Sequence, residues 1–254
     1  MQSNKMEDRG SNALKSHLTN CSRMDVRQTR RGWCQELLGC EARTEFKYFD
    51  ENANHVFTSL EDASCMCRFC CAPMHPYVMQ VKELNTDAEI ITVDRPFRCL
   101  PSGCKCCCYQ EATFTSGGNT LGSIKEDCWY CVPSFKLLDE SGAPIFKIHQ
   151  PTCCAGMCVN CCAEGNPCGK GCCKESFRVY PADQAQTDGD APYLGHIMKK
   201  PKSLMTEIFT DSNAFECHFP DSSSADQKGM LLGVTIFLNT NFFEGGNESA
   251  AASG

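Results

Sequence analysis

Cysteine is the residue type that could carry chemistry most widely along this chain. The sequence holds 23 cysteines among 254 residues, and most of them fall in clusters at 65–71, 99–108, 128–131 and 153–173. Residues 1–10 contain no apolar stretch, so we expect no secretory signal and a reducing compartment. An odd cysteine count also fits poorly with a closed disulfide framework. Metal ligation, S-acylation and burial as small apolar side chains therefore remain as roles for the thiols.

The largest cluster lies in a glycine- and cysteine-rich insertion at about 153–173. Thiolates at this spacing can surround one tetrahedral zinc ion, and the metal would supply a fold to a segment with little apolar core. The alternative is an acylated or simply thiol-rich loop. The candidate zinc ligands are Cys158, Cys161, Cys168 and Cys172.

The cluster at 104–108 indicates attachment to a membrane surface instead. Lys105 lies inside it, and Arg95 and Arg98 precede it. Each buried acyl methylene contributes about 0.8 kcal/mol, and stable anchoring takes two signals, which several chains and nearby basic residues would supply. The candidate acylation sites are Cys104, Cys106, Cys107 and Cys108.

Oxygen-bearing side chains near position 211 begin like a calcium loop. Asp211 and Asn213 stand at the first and third positions, but Phe215 stands at the fifth, and Ser222 replaces the bidentate glutamate that would end the loop. Such a site would bind calcium weakly. The alternative, which these residues favour, is a strand at 215–219 preceded by a turn.

Short runs of β-branched and aromatic residues, joined by turn-forming clusters, predict a mainly β domain. Strands at this spacing indicate an antiparallel sandwich or barrel, and a closed sheet of eleven or twelve strands would need its interior filled. The four predicted hairpins are 45–49 with 55–60, 77–84 with 89–93, 111–115 with 121–124, and 135–138 with 144–148. Later candidate strands are 176–180, 193–197 and 215–219.

The last apolar run, at 229–243, is a candidate for that filling. As a helix, its fifteen residues span about 22 Å, whereas a bilayer core needs about 30 Å. Asn239 and Asn241 would also place amides near one edge of the hydrocarbon. We therefore favour a buried core helix over a membrane-spanning one.

The terminal segments and the overall composition lead to predictions about disorder, nucleic-acid binding and catalysis. Residues 1–33 are polar without usable periodicity, which predicts a disordered leader, and residues 245–254 read as a flexible tail. The formal net charge of −7 argues against nucleic acid as a general partner. The six histidines are scattered, and no nucleophile or metalloprotease motif appears, so we expect a protein that is not an enzyme.

The chain resembles the phospholipid scramblase family over about 34–244. The matching stretches are CMCRFCCAPMHP at 65–76, DRPFRC at 94–99, CCCYQE at 106–111, TDSNAF at 210–215, HFP at 218–220, and the terminal run that ends FFE at 242–244.

This resemblance implies a tubby-like barrel of twelve strands around a C-terminal helix at about 227–243. It also implies calcium-stimulated, ATP-independent movement of phospholipids between leaflets of the plasma membrane, and palmitoylation of the 104–108 cluster on the cytoplasmic face. The implied calcium contacts are Asp211, Asn213, Phe215, Cys217, Asp221 and Ser222. A segment that acts as a nuclear import signal in some members aligns with 195–202, where Lys199, Lys200 and Lys202 are equally candidates for contact with anionic lipid.

Two functions of different classes remain open. The first is a lipid scramblase, which would need oligomers or local bilayer thinning because one short helix cannot line a path for head groups. The second is a palmitoylated peripheral adaptor that binds lipid head groups or partner proteins without transporting lipid.

Overall fold

The computed structural model describes residues 2–30, 44–62, 74–99, 107–129, 131–160, 175–186, 191–200 and 213–243. Twelve antiparallel strands form a closed barrel around a helix near the C-terminus, which confirms the predicted fold class. The helices are α1 (Gln2–Leu18) and α2 (Ala225–Leu238), and α2 continues as a π-helix (Asn239–Phe243). The strands are β1 (Arg23–Arg30), β2 (Thr44–Phe49), β3 (His55–Asp62), β4 (Tyr77–Glu83), β5 (Glu89–Arg95), β6 (Glu111–Ser116), β7 (Asn119–Glu126), β8 (Ser134–Asp139), β9 (Pro144–His149), β10 (Thr152–Cys153), β11 (Cys158–Val159), β12 (Glu175–Pro181), β13 (Gly195–Lys199) and β14 (Ala214–His218).

The barrel is a meander interrupted by one small hairpin. Its strand order is β1-β14-β13-β12-β9-β8-β7-β6-β5-β4-β3-β2, and β2 pairs with β1 to close it. The four predicted hairpins are confirmed as β2–β3, β4–β5, β6–β7 and β8–β9. Strands β10 and β11 pair only with each other and lie at the start of the cysteine-rich insertion.

Local turn chemistry explains why these hairpins form where the sequence places them. In the β8–β9 turn, Asp139 Oδ1 accepts hydrogen bonds from the backbone N–H groups of Ser141 and Ala143. Gly142 in the same turn has φ +83°, a conformation in which glycine is favoured. Asp50 satisfies the β2–β3 turn in the same way, through the N–H groups of Asn52 and Asn54.

The prediction of a disordered leader at 1–33 is wrong, because this segment contains α1 and β1. Strand β1 pairs with β14 on one side and β2 on the other, so the barrel begins well before residue 34. Met24, Val26 and Gln28 are buried, with exposures of 1%, 0% and 2%. This period-two alternation is a strand signal that the arginine-rich composition of the segment obscured. Without β1 the sheet would keep two unpaired edges.

Helix α1 packs across one end of the barrel. Leu14 and Leu18 are fully buried, and the helix contacts β5 and α2. Its approach to β5 is close, since a Cβ at Gly10 would lie 2.0 Å from the carbonyl oxygen of Glu89. His17 Nε2 also lies 2.8 Å from Glu83 Oε1, at the end of β4. The helix therefore belongs to the folded domain.

Helix α2 fills the barrel interior. A capping box starts it, in which Ser224 Oγ accepts from Gln227 N and the Gln227 side chain accepts from Ser224 N. Every residue from 228 to 241 is buried. Gly122 on β7 makes room for the helix, because a Cβ there would lie 2.8 Å from Met230 Sδ. The helix is apolar on all sides because the barrel surrounds it.

We expect Leu14→Ala to lower the free energy of unfolding by about 2–5 kcal/mol, because it leaves a cavity where α1 meets α2. Chemical denaturation followed by circular dichroism measures the change. Lys15→Ala is the matched control on an exposed position of the same helix, and it should change stability by less than about 0.5 kcal/mol. Equal stability of the two variants would contradict the packing of α1 against the barrel.

Candidate functional site

The C-terminal helix is held at its first turns by a buried lysine. Lys228 is only 5% exposed, and its Nζ donates to the carbonyl oxygens of Thr19, at 3.0 Å, and Cys21, at 2.8 Å. Thr19 lies directly after the last residue of α1. An ammonium group at the C-terminal end of a helix is favourable, because the helix dipole is negative there. Lys228 thus ties α2 to α1.

The other end of α2 is held by buried amides. Asn239 Oδ1 accepts from Asn213 Nδ2 at 2.9 Å, and Asn241 Oδ1 accepts from the Arg95 guanidinium at 3.1 Å. Arg95 is fully buried and also donates to the carbonyl oxygen of His75 and to Gln110 Oε1, each at 2.8 Å. The two amides that argued against a spanning helix are therefore the groups that fix α2 within the barrel.

These polar contacts, and not the apolar ones, distinguish the barrel interior from a bilayer as the host of α2. Leu231, Leu232 and Phe237 are fully buried in the barrel, but lipid would shield them equally well. In hydrocarbon, Asn239 would lose its hydrogen bond to Asn213 and Asn241 would lose its hydrogen bond to Arg95, at about 1–3 kcal/mol for each unsatisfied group. Nowhere in the described ranges is there a helix whose length and apolar character suffice for crossing a membrane.

The segment expected to contact calcium contains a strand, as the residue pattern at 215–219 predicted. Strand β14 covers Ala214–His218, and the side chains of Phe215 and Cys217 point into the barrel with exposures of 1% and 0%. Asn213 is 7% exposed and engaged with Asn239. Burial raises the pKa of the Cys217 thiol, so this sulfur stays protonated.

The exposed members of this segment lie beyond the other end of β14. Asp221 and Ser222 are both exposed, whereas Asp211 lies outside the described residues. The five-residue strand between Asn213 and Asp221 spans about 16 Å, and calcium ligands lie about 2.4 Å from the ion. The structure therefore does not bring Asn213 and Asp221 to a common ion.

The described part of the candidate acylation cluster is accessible. Cys107 is exposed, and Cys108 is half-buried with its Sγ 3.0 Å from the backbone nitrogen of Cys99. Phe97 is 49% exposed, which is unusual for a large apolar side chain, and it precedes this cluster along the chain. Cys104 and Cys106 lie outside the described residues.

Of the four candidate zinc ligands, only Cys158 falls in the described part of the chain. It is exposed on β11, and Cys161, Cys168 and Cys172 lie outside the described residues. Cys153 lies directly opposite Cys158 in the β10–β11 pair, so the two side chains share one face. The spacing of cysteines along the chain did not indicate this pair, because strand pairing brings the two residues opposite each other. Within the described ranges, no three or more His, Cys, Asp or Glu side chains are grouped to hold a metal ion.

The three lysines proposed for import or lipid contact have different surroundings. Lys199 Nζ lies 4.4 Å from the centre of the Phe243 ring. Lys200 Nζ pairs with Asp25 Oδ2 at 2.9 Å and with Glu216 Oε2 at 3.1 Å. Lys202 lies outside the described residues. Two of these lysines thus take part in contacts within the barrel.

Comparison with known proteins places this architecture in a family. The profile of the scramblase family matches residues 4–245, which is nearly the whole chain. The chain belongs to the scramblase family. This match covers β1 and nearly all of α1, so it extends further toward the N-terminus than the resemblance at 34–244.

Several curated relatives of this scramblase-family chain are named phospholipid scramblases. Phospholipid scramblase 2 of Bos taurus is 29% identical over 210 residues, which cover 82% of this chain and 64% of the relative. Phospholipid scramblase 1 of Homo sapiens is 26% identical over 219 residues, with coverage of 86% and 62%. The chain thus spans less than two thirds of the length of these two relatives. No solved structure matches it.

We expect Gly233→Ala to destabilise this scramblase-family chain by about 1–3 kcal/mol. A Cβ at Gly233 would lie 2.6 Å from Phe114 Cε1, and the ring has little room to move. Gly229→Ala is the matched control, because its Cβ would meet the flexible end of Leu14 at 3.0 Å while gaining helix propensity. Thermal unfolding measures both variants. A stabilising Gly233→Ala would mean that α2 does not occupy the barrel in solution.

Proposed function

We propose that this protein is a phospholipid scramblase that moves phospholipids in both directions across the plasma membrane, stimulated by calcium and independent of ATP. The observation that carries the proposal is the family match over residues 4–245 together with relatives that are named phospholipid scramblases. Scrambling makes and breaks no covalent bond in the lipid, so the protein acts as a translocator.

Acyl chains on the 104–108 cluster would hold the barrel on the cytoplasmic face of the membrane. The exposure of Cys107 and the half-burial of Cys108 support this part of the proposal. The exposed ring of Phe97 would add apolar contact close to the anchor. Two or more chains give the second signal that stable anchoring requires, and Cys104 and Cys106 would supply the other acylation sites.

The route for polar head groups would run along the outside of the protein. The interior of the barrel offers no passage, because the side chains of α2 fill it from residue 228 to residue 241. Lipid movement would therefore depend on thinning of the bilayer beside an anchored barrel or on association of several copies. Both routes leave α2 in place and keep its amide contacts.

Calcium would act at the surface in this proposal. Asp221 and Ser222 are exposed, and Asp211 precedes β14 in the sequence. Oxygen ligands this few would bind calcium weakly unless lipid phosphate completed the coordination shell. A zinc ion held by Cys158 with Cys161, Cys168 and Cys172 would have a separate role, which is to order the insertion.

The second candidate function is a palmitoylated peripheral adaptor that binds lipid head groups or partner proteins. The observation that favours it is the burial of α2 within the barrel, which keeps this helix away from lipid. An adaptor of this kind could also have a nuclear pool through Lys199, Lys200 and Lys202. The two candidates differ in whether lipid changes leaflet.

Reconstitution decides between the two functions. The acylated full-length protein in vesicles with a fluorescent lipid should expose inner-leaflet label to a membrane-impermeant quencher, faster with calcium than with a chelator and without ATP. Vesicles carrying a heat-unfolded sample are the control for leakage. Binding to the vesicles without any loss of inner-leaflet label would support the adaptor and contradict the scramblase.

Replacing the candidate acylation sites should release the protein from membranes. Serine at Cys104, Cys106, Cys107 and Cys108 removes the acyl chains, and a barrel held by those chains should then move to the soluble fraction of a cell lysate. Serine at the exposed Cys128 and Cys131 is the matched control and should leave the protein in the membrane fraction. Retention of the fourfold variant would show that another segment anchors the chain.

A further inference from the structure

One row of nitrogen-bearing side chains crosses five neighbouring strands of the barrel. Strand pairing places each member directly opposite the next, so all of their side chains lie on one face of the sheet. The residues that alternate with them are buried in the interior, which puts the row on the outer face. We call this set the basic row, and its members are His149, Arg178, His196, His218 and Arg23.

Ring contacts connect the basic row to an exposed apolar edge. The imidazoles of His196 and His218 stack with their centroids 4.4 Å apart and their planes 23° apart. The Arg178 guanidinium lies 4.4 Å from the centre of the Tyr193 ring, which also contacts His196 edge-on. Tyr193 and Leu194 are 42% and 43% exposed. Cationic and amphipathic side chains thus share one surface.

Only part of the basic row can respond to pH or meet a ligand. His149 is fully buried and stacked on Tyr180, and burial lowers its pKa to about 4, so it stays neutral above that value. His218 and Arg23 have side chains that are 37% and 39% exposed, and His196 is half-buried. The accessible end of the row is therefore His196, His218 and Arg23.

Among the described residues that form ion pairs beside His218, two carboxylates are matched by two basic side chains. Glu216 Oε1 lies 2.5 Å from His218 Nε2 and 3.6 Å from Arg23, and Asp25 pairs with Lys200. Burial alone would raise the pKa of Glu216, but hydrogen bonds from His218 and Lys200 outweigh it and hold the pKa at about 2. These two carboxylates are matched by Arg23 and Lys200. Protons added to His196 and His218 therefore add net positive charge to this face.

We propose that the accessible end of the basic row (His196, His218 and Arg23), with Tyr193 and Leu194, docks on a bilayer that carries anionic phosphate head groups, and that protonation of His196 and His218 strengthens the docking. Imidazolium and guanidinium groups donate charge-assisted hydrogen bonds to phosphate oxygens. Tyrosine is favoured at the interface between head groups and acyl chains. Two stacked imidazoles repel each other when both are charged, and an anionic surface beside them offsets that repulsion. Arg178 faces His196 from β12 and adds to the same effect.

This inference deepens the proposed function, because it names the face that meets the head groups. It does not require that lipid be transported. Vesicle binding tests the docking face, whereas the movement of labelled lipid tests the scramblase, so failure of one leaves the other measurable.

The test uses unacylated full-length protein with a calcium chelator, so that neither anchor contributes. Sedimentation with phosphatidylcholine vesicles, with and without phosphatidylserine, is measured at about pH 5.5 and about pH 7.5, on either side of the range in which histidine changes charge. We expect binding to the phosphatidylserine vesicles to increase by about 25-fold at the lower pH, because two histidines gain a charge and each basic charge near an anionic surface contributes about fivefold. Binding to pure phosphatidylcholine should stay weak at both values.

The double variant His196→Gln, His218→Gln should lose this increase, and Arg23→Gln should weaken binding at both pH values. His55→Gln is the matched control, because His55 is a half-buried histidine on β3, away from the basic row. Circular dichroism of each variant confirms the fold, and Arg23→Gln keeps the test decisive if the double variant does not fold. Unchanged binding by the folded double variant would overturn the proposal. Displacement by inorganic phosphate, but not by chloride of equal ionic strength, would also overturn it by indicating a pocket for free phosphate.

Discussion

The interior of a twelve-stranded barrel must be filled, and the rest of this structure depends on how α2 fills it. The barrel is too wide for its own inward side chains to close the space, so one continuous apolar helix occupies the axis. Polar contacts hold that helix at both ends, through Lys228 to the end of α1 and through Asn239 and Asn241 to Asn213 and Arg95. The apolar contacts supply most of the burial, and the polar contacts fix the position of α2 along the axis.

Because the barrel interior is filled, residues that could bind a ligand or be modified must lie on the outer surface of the barrel. Inward residues such as Phe215 and Cys217 serve packing, even where they fall in a segment with a candidate binding role. The exposed thiols among the described residues lie outside the twelve barrel strands, where residues can change without disturbing the ladder of hydrogen bonds. Charged and aromatic groups meet on the outer face, where strand register aligns them into rows.

The same arrangement bears on how a protein of the scramblase family can act on lipid. Apolar side chains of α2 are shielded equally well by a barrel or by acyl chains, so burial by itself does not choose between these hosts. The hydrogen bonds from Arg95 to Asn241 and from Asn213 to Asn239 do choose, because hydrocarbon offers no replacement for them. In the proposed function, an anchored barrel that perturbs the bilayer from one side would keep these contacts intact.

The sequence by itself determined the hairpins and the central helix, whereas its strand pattern left a sandwich or a barrel open. Turn residues such as Asp50 and Asp139 act locally, and the length of the apolar run with its two asparagines sufficed to favour a core helix. The sequence did not reveal α1 or β1. These elements are polar on their outer faces and gain their stability from packing on the barrel. Tertiary structure alone decided which distant residues meet. Strand pairing sets Cys153 opposite Cys158 and aligns the basic row from β9 to β1, because register depends on the whole sheet and not on spacing along the chain.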